Sequence, residues 1–520
     1  MLYSWHKKSS ALRMLLQWAK SNSVMLVNAG SLIGTTAVTS VLGFVFWWLA
    51  ARHFPPEAIG IASASVSAMM LLGNFCILGL GTLLITELPR QPGQEASLMS
   101  TALIVVGGVG GVVGILFAVV APYTSPGFGP LRANIVDIIL FASGVSLMAI
   151  TLVLDQAFIG ILRGGLQFWR NALFAVAKLL LVFGFSFWLS GEAGMTLYAT
   201  FPIGNVLSLA VLALYGVSRK RSGGSRRNYL PQWSLLRKLG FAAVQHHLLN
   251  LTLQFPTLAL PLLVTVMLSA KINAWFYVSW MIVSFVFVVP GALTTVLHAM
   301  NSAQPSTLAQ KAKVTIGLAL VTSLVANGLL QLATKQVLSL FGSSYAEQAA
   351  WCMRILVLAA FPLIIKNHYI SICRIQDRIA GAMLAMLPGG LLELGAAALG
   401  AHLGGLSGLS IGWVAAIGVE AMFMFRTVYK AVWSVETAGQ DYIGMEAVWL
   451  LETASMPVVG QSYMDTEAIW LMETASMPAL KQPSIATHEE SVQQDKASQC
   501  NSSSQFQLKP PELQRYKSRS

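Results

Sequence analysis

Asp155, Arg163, Arg170 and Lys178 stand about two helical turns apart in the otherwise apolar stretch LVLDQAFIGILRGGLQFWRNALFAVAK, residues 152–178. One carboxylate and three cations at that spacing offer two kinds of chemistry. Asp155 pairs with a base across a helical hairpin, or the charges line the path of a charged substrate. Polar side chains punctuate later apolar runs as well: His246, His247, Asn250 and Gln254 beside Pro256, then Arg354, Lys366, His368, Glu393 and Glu420. Bases outnumber acids among them, which suits a substrate that carries phosphate. Lys178, Arg354, Lys366, His246 and His247 are therefore candidate cavity residues. Asp155, Glu393 and Glu420 are candidate charge partners or ion-coupling acids. Arg163 and Arg170 are candidates for headgroup contact at the inner membrane face.

The chain that must position these groups has 520 residues, of which 55% are hydrophobic and 10% charged, with a mean hydropathy of +0.65. A soluble domain carries about 25% charged residues, so the composition predicts an all-α membrane protein. The net charge of +12 lies in short loops between apolar runs, the pattern of membrane orientation and not of nucleic-acid binding. Cys76, Cys352, Cys373 and Cys500 show no paired or metal-like spacing, and the first three lie in apolar runs that suit packing. Residues 1–20 lack the continuous apolar core of a signal peptide. Leu12, Leu15, Leu16 and Trp18 opposite Lys8, Arg13 and Lys20 suit a short helix on the inner membrane surface or an orientation tag.

About twelve runs reach the roughly 20 apolar residues that a span needs. They lie near 27–50, 59–84, 98–122, 134–160, 168–190, 196–218, 240–264, 272–298, 313–334, 347–372, 380–402 and 406–429. A shift of about 213 residues lays the first six on the second six, which argues for an internal duplication. Each half has an even number of spans, so the repeats run parallel, around an axis along the membrane normal and a central cavity. The expected organisation is an N-terminal segment 1–23, a first half 24–218, a basic linker 219–238, a second half 239–431 and a tail 432–520. Lys7, Lys8, Arg13, Lys20, Arg90, Arg163, Arg170, the linker, Lys311, Lys313, Arg374, Arg378, Arg426 and Lys430 fall in one set of loops. The other set holds little beyond Arg52, Arg132, Lys271 and Lys335. The first set is expected to be cytoplasmic, with both termini inside. The linker also suits anionic lipid headgroups.

No phosphate-binding G-x-x-x-x-G-K-[ST], no H-E-x-x-H, no G-x-S-x-G and no cysteine–histidine cluster occurs, so neither an enzyme nor a cofactor or metal is expected. VVGGVGGVVG at 105–114 has the G-x-x-x-G spacing of close helix packing. After Val432, MEAVWLLETASMPVVGQ (445–461) recurs as TEAIWLMETASMPALKQ (466–482), aligning Trp449 with Trp470, Glu452 with Glu473 and Pro457 with Pro478. The copies are too short to span and fit docking motifs, interfacial anchors or a recent duplication. The end from about 483 is polar and expected to be disordered.

The first span with its following turn, VNAGSLIGTTAVTSVLGFVFWWLAARHFPPEAIGIASAS, and the hairpin LDQAFIGILRGGLQFWRN, on a two-fold six-helix plan, resemble the bacterial polysaccharide-repeat flippases of the multidrug/oligosaccharidyl-lipid/polysaccharide exporter superfamily. The resemblance spans roughly residues 24–430. It implies transport of undecaprenyl-pyrophosphate-linked oligosaccharide from the cytoplasmic to the outer leaflet of the inner membrane. The implied means are a basic central cavity, a lipid tail that stays in the bilayer, and alternating access coupled to a proton or sodium gradient. Membrane lipid, the lipid-linked glycan and a polysaccharide polymerase or glycosyltransferase are the partners it suggests. Its drug/cation antiporters call for an acid-rich cavity, whereas this chain leans basic. A membrane assembly subunit that moves no lipid is the third alternative.

Overall fold

Length and apolarity alone make most of this chain helical, because hydrocarbon leaves backbone amides no partner but one another. The computed structural model describes residues 23–188, 194–220, 230–234, 241–303, 308–376 and 378–433. The expected amphipathic segment before residue 23, most of the 219–238 linker and the repeated motif of the tail lie outside the described residues.

Among the described residues the long elements are all helices. The first half holds α1 (Ser23–His53), α2 (Pro56–Cys76), the short α3 (Leu80–Glu87), α4 (Glu95–Thr124), α5 (Ile135–Gly160), α6 (Gly164–Trp188) and α7 (Gly194–Lys220). The second holds α8 (Phe241–Met267), α9 (Ala270–Ala303), α10 (Leu308–Ser339), the short α11 (Ser343–Gln348), α12 (Ala350–Leu356), α13 (Ala360–Ile375) and α14 (Ile379–Trp433). The helix starts at 56, 95, 135 and 164 recur at 270, 308, 350 and 379, the same shift of about 213 residues seen in the sequence.

Among the described residues eleven helices are long and apolar enough to cross a membrane, one fewer than the expected twelve runs. The difference is α14. Its 55 residues would extend about 80 Å as one rod, far beyond a bilayer core of about 30 Å. The backbone leaves helical geometry at Gly404 and at Gly405, where φ is +58°, a value that glycine reaches without steric cost. α14 therefore folds back on itself and makes two passes. The arms meet through small residues: a Cβ on Gly400 would stand 2.1 Å from the Gly408 carbonyl oxygen, and one on Gly412 2.1 Å from that of Ala396.

Within the first half α1 packs on α6, α4 on α5, α6 on α7, and α2 on α5 and α7; within the second, α8 and α13 pack on α14, and α9 on α10 and α13. Large apolar side chains such as Leu332, Leu403, Met422 and Phe423 stay exposed on the outside of the bundle, as a surface bathed in lipid requires. The halves meet along α2, which packs against α8 and α9.

That seam is tightest at one end of the bundle. Asn273 Nδ2 donates to the Gly60 carbonyl (2.9 Å) and to Ser63 Oγ (3.0 Å). Trp48 Nε1 donates to the Leu340 carbonyl (3.0 Å), Ser125 Oγ to the Thr265 carbonyl (3.3 Å), and Lys271 pairs with Glu57 at 3.5 Å. A Cβ on Gly60 would lie only 1.6 Å from the Ala270 carbonyl oxygen, so the backbones touch there. Below these contacts the Trp47 and Tyr277 rings meet at 4.8 Å.

Candidate functional site

The charged hairpin of the opening stretch closes on itself. The chain turns between α5 and α6 at Leu162, whose φ is +55°, and the Arg163 amide donates to the Phe158 carbonyl at 2.8 Å. The turn lays α6 back along α5 and brings Arg170 opposite Asp155. Arg170 Nε donates to Asp155 Oδ1 at 2.7 Å, and its second nitrogen reaches Oδ2. Asn171 Nδ2 donates to Asp155 Oδ2 (2.9 Å) and to the Gln167 carbonyl (3.1 Å), while Asn171 Oδ1 accepts from Arg170 at 2.7 Å. Asp155, Arg170 and Asn171 are each at most 1% exposed. Of the two readings of Asp155, pairing across the hairpin is the one the structure shows. The expected place of Arg170 at the inner-face headgroups is corrected: opposite a buried carboxylate, its guanidinium turns inward. Arg163, by contrast, is exposed at the turn.

Lys178 lies two turns further along α6 and has no carboxylate beside it among the described residues. Its ammonium is boxed by three rings, 4.9 Å from Phe201, 5.1 Å from Phe174 and 5.3 Å from Phe46. Ring faces attract a cation by about 0.5–2 kcal/mol each, which offsets part of the cost of burying it. Phe201 also packs near Trp47 (6.3 Å), so the box reaches the Trp47–Tyr277 contact between the halves.

The second half contains a cavity of about 260 Å³. Its walls include Lys366, Asn367 and Arg374 from α13, His298 from α9, and Glu393 and Trp413 from the two arms of α14. Lys366 Nζ contacts Glu393 Oε1 at 2.5 Å and Glu420 Oε2 at 2.7 Å. Trp413 Nε1 donates to Glu393 Oε2 at 2.8 Å. Both carboxylates are buried. The Glu420 carboxyl fits against Gly389, where a Cβ would come within 2.8 Å of it.

The sequence candidates therefore fall into separate places. Lys366, Glu393 and Glu420 come together in the second half, and Asp155 and Arg170 in the first. Lys178 and Arg354 join neither group. Arg354 is half-buried over the Trp351 ring at 5.5 Å, its Nε 3.4 Å from Thr334 Oγ1. His247 is half-buried, close to the Phe75 backbone across the seam; the His246 side chain lies outside what the structure describes. His368 is fully buried, its Nδ1 donating to the Ile364 carbonyl at 2.7 Å and its Nε2 lying 3.1 Å from Thr315 Oγ1. The sequence reading placed Arg374 in a cytoplasmic loop and singled out neither Trp413, His298 nor Asn273. Asn273 and His298 carried a signal, since each is a polar residue set in an apolar run. Trp413 carried none, because tryptophan is as apolar as it is polar. No group of three or more His, Cys, Asp or Glu side chains able to hold a metal ion occurs among the described residues.

Residues 25–274 match the family described as polysaccharide biosynthesis protein. No curated protein matches the chain in sequence. In three dimensions the chain is similar to a multidrug-resistance MATE-family transporter of the MOP superfamily in its inward-facing conformation. The identity is 14% and the TM-score 0.60, over 78% of this chain and 100% of that one. An outward-facing conformation of such a transporter matches at 14% identity and a TM-score of 0.53, over 80% and 97% of the two chains. A MOP-superfamily transporter from Pyrococcus furiosus Vc1 (DSM3638), reported with a binding pocket of reverse polarity, matches at 13% identity and 0.53 over 80% and 96%. Nearly half of the chain, residues 25–274, thus matches the polysaccharide biosynthesis family, and the multi-pass bundle has the fold of the MATE-family exporters.

Proposed function

We propose that the protein moves a lipid-linked oligosaccharide, anchored through a pyrophosphate to a long isoprenoid such as undecaprenol, across the cytoplasmic membrane for polysaccharide biosynthesis. The observation that carries this reading is the disposition of buried charge. Asp155 is engaged by Arg170, and Glu393 and Glu420 by Lys366, whereas the Lys178 ammonium lies over three aromatic rings. A carrier of organic cations needs a carboxylate free to receive them; Asp155 is matched by Arg170 and the two glutamates share Lys366, whereas Lys178 is a buried cation with no carboxylate beside it among the described residues. A pyrophosphate cannot cross hydrocarbon bare, so its carrier must offer cations along a sheltered route, while the lipid tail stays in the bilayer and the route opens sideways. The family matched by residues 25–274 supplies the carbohydrate context.

The charge asymmetry of the loops supports a topology with both termini in the cytoplasm. The sealed end of the seam, where the α1–α2, α4–α5 and α8–α9 connections lie, then faces outward, and the described conformation is the one closed to the outside. Rocking the halves apart there separates Trp47 from Tyr277 and opens the Lys178 box onto the path. A polysaccharide polymerase or a glycosyltransferase is the partner expected downstream or upstream, and a proton or sodium ion the coupling ion. Lys178→Ala is expected to lower translocation of the glycan lipid about tenfold, a loss of about 1.4 kcal/mol, with the melting temperature unchanged or raised. Lys178→Arg should retain part of the activity, because Arg keeps the charge and stacks on rings.

A second reading, an ion-coupled multidrug antiporter, is favoured by the likeness to MATE-family transporters. The two are separated by ligand stabilisation of the detergent-purified protein. A pyrophosphate-linked glycan lipid should raise its melting temperature in a dose-dependent way, and organic cations should not. Stabilisation by organic cations alone would favour the antiporter.

A further inference from the structure

The joint between the halves carries a pattern that moving a glycan does not call for. Residues 219–238 hold seven Lys or Arg and no Asp or Glu, and between the bases stands the short stretch YLPQW, 229–233. Its middle is tied to the first half at two points. Ser97 Oγ, on the first turn of α4, donates to the Leu230 carbonyl at 2.5 Å. The Gln232 amide donates to Thr101 Oγ1 at 2.6 Å, and that hydroxyl donates in turn to the Ser97 carbonyl at 2.8 Å. Pro231 has no N–H to offer and a fixed φ, so the clamp takes a polar backbone group on each side of it.

The clamp has a definite depth and a definite outer surface. α4 has 30 residues, about 45 Å of helix, against a hydrocarbon core of about 30 Å. Its opening turns therefore reach headgroup depth. Ser97 and Thr101 stand there, one turn apart on one face and both buried. Beside the clamp, Leu230 is 72% and Trp233 57% exposed. Two exposed apolar side chains held at that depth suit the boundary between headgroups and acyl chains, where tryptophan rings collect. The bases that flank them in the sequence suit negative charge. One partner matches in both respects, a leaflet rich in anionic phospholipid.

We propose that the 219–238 joint is an anchor for anionic phospholipid of the inner leaflet. The Ser97–Thr101 clamp holds Leu230 and Trp233 at headgroup depth, and the flanking Lys and Arg residues take the phosphate groups. The anchor uses none of the cavity residues, and the inference rests on the transport reading only for the side of the membrane on which the joint lies.

The test needs neither substrate nor a fixed topology, because lipid nanodiscs offer the same composition on both faces. The full-length protein, without its native cysteines, carries Ser234→Cys with a polarity-sensitive fluorophore; Ser234 is exposed, next to Trp233. In discs of phosphatidylcholine with a rising share of phosphatidylglycerol, the emission should shift to the blue and saturate, and high salt should reverse the shift. Each base removed, as in Arg226→Gln and Arg227→Gln, should lower the ratio of anchored to released molecules roughly fivefold. Thr101→Val, which keeps every base and removes the acceptor of the Gln232 amide, should shrink the shift at every composition. Three outcomes overturn the proposal: emission indifferent to phosphatidylglycerol, a shift that the double variant Arg226→Gln/Arg227→Gln leaves unchanged, or one that Thr101→Val leaves unchanged. A fourth is a blue shift already complete in pure phosphatidylcholine and lost when residues from 435 onward are removed. Residues 434–476 hold seven Asp or Glu and no Lys or Arg, so that result would show this acidic stretch, and not lipid, seated on the joint.

Discussion

Asp155→Ala will destabilise the protein by about 3–5 kcal/mol, because it leaves the Arg170 guanidinium buried without its carboxylate. Arg170 is 1% exposed, and its remaining acceptor is the Asn171 side chain. The turn at Leu162 is already held in an uncommon backbone conformation, and the Asp155–Arg170–Asn171 network is what ties the two arms of the hairpin across it. The double variant Asp155→Leu/Arg170→Leu should lose far less than Asp155→Ala, since replacing a whole buried pair by apolar side chains is often neutral or stabilising. Thermal or denaturant unfolding of wild type, Asp155→Leu, Arg170→Leu and the double variant, in one detergent, measures the coupling. A cycle in which the double variant is as unstable as the sum of the singles would show that the pair does not act as a unit. Asp155 then serves the hairpin's architecture, and any contribution to transport runs through it.

The second large effect is expected at the seam. Gly60 meets the Ala270 backbone so closely that no side chain fits, and Asn273 hydrogen-bonds to the Gly60 carbonyl at the same point. Gly60→Val must push α2 away from α9, at a cost to the sealed state of about 1–3 kcal/mol. A shift of that size changes the ratio of sealed to open molecules by roughly 5- to 150-fold. In a background without the native cysteines, a cysteine at Ser63, which is fully buried at the seam in the sealed state, is the reporter. Gly60→Val should speed its reaction with an impermeant thiol reagent, and Asn273→Ala should do so to a lesser degree. Unchanged labelling in both variants would show that these contacts do not hold the halves together.

The passes across the membrane and the two-fold plan were legible in the sequence because hydropathy and a fixed shift are one-dimensional properties. The last two passes were legible as separate runs, 380–402 and 406–429, even though the helix runs on into a hairpin; Gly404 and Gly405 mark the break. What was not legible is lateral. Arg170 was expected at the headgroups because its depth was counted along α6 alone, and the rotation that aims it at Asp155 depends on the turn at Leu162. Lys366, Glu393 and Glu420 stood out one by one as costly charges in apolar runs. Their meeting needs the relative rotation of α13 and both arms of α14, which spacing does not encode. Lys178 stood out for the same reason, yet its aromatic neighbours come from α1, α6 and α7 and read as ordinary apolar residues. Asn273 was passed over as one polar residue in the eighth run, although it fastens the two halves.

The central claim is that an anionic glycan lipid is what crosses. The direct measurement is translocation in sealed liposomes that contain the purified protein and a pyrophosphate-linked oligosaccharide lipid, with the sugar read out by a probe confined to one side. Wild type should expose the sugar faster than protein-free liposomes, and faster still under an imposed pH difference. Lys178→Ala should be slowed about tenfold while remaining folded. Translocation no faster than in empty liposomes under any proton or sodium gradient, together with extrusion of organic cations by the same preparation, would contradict the account.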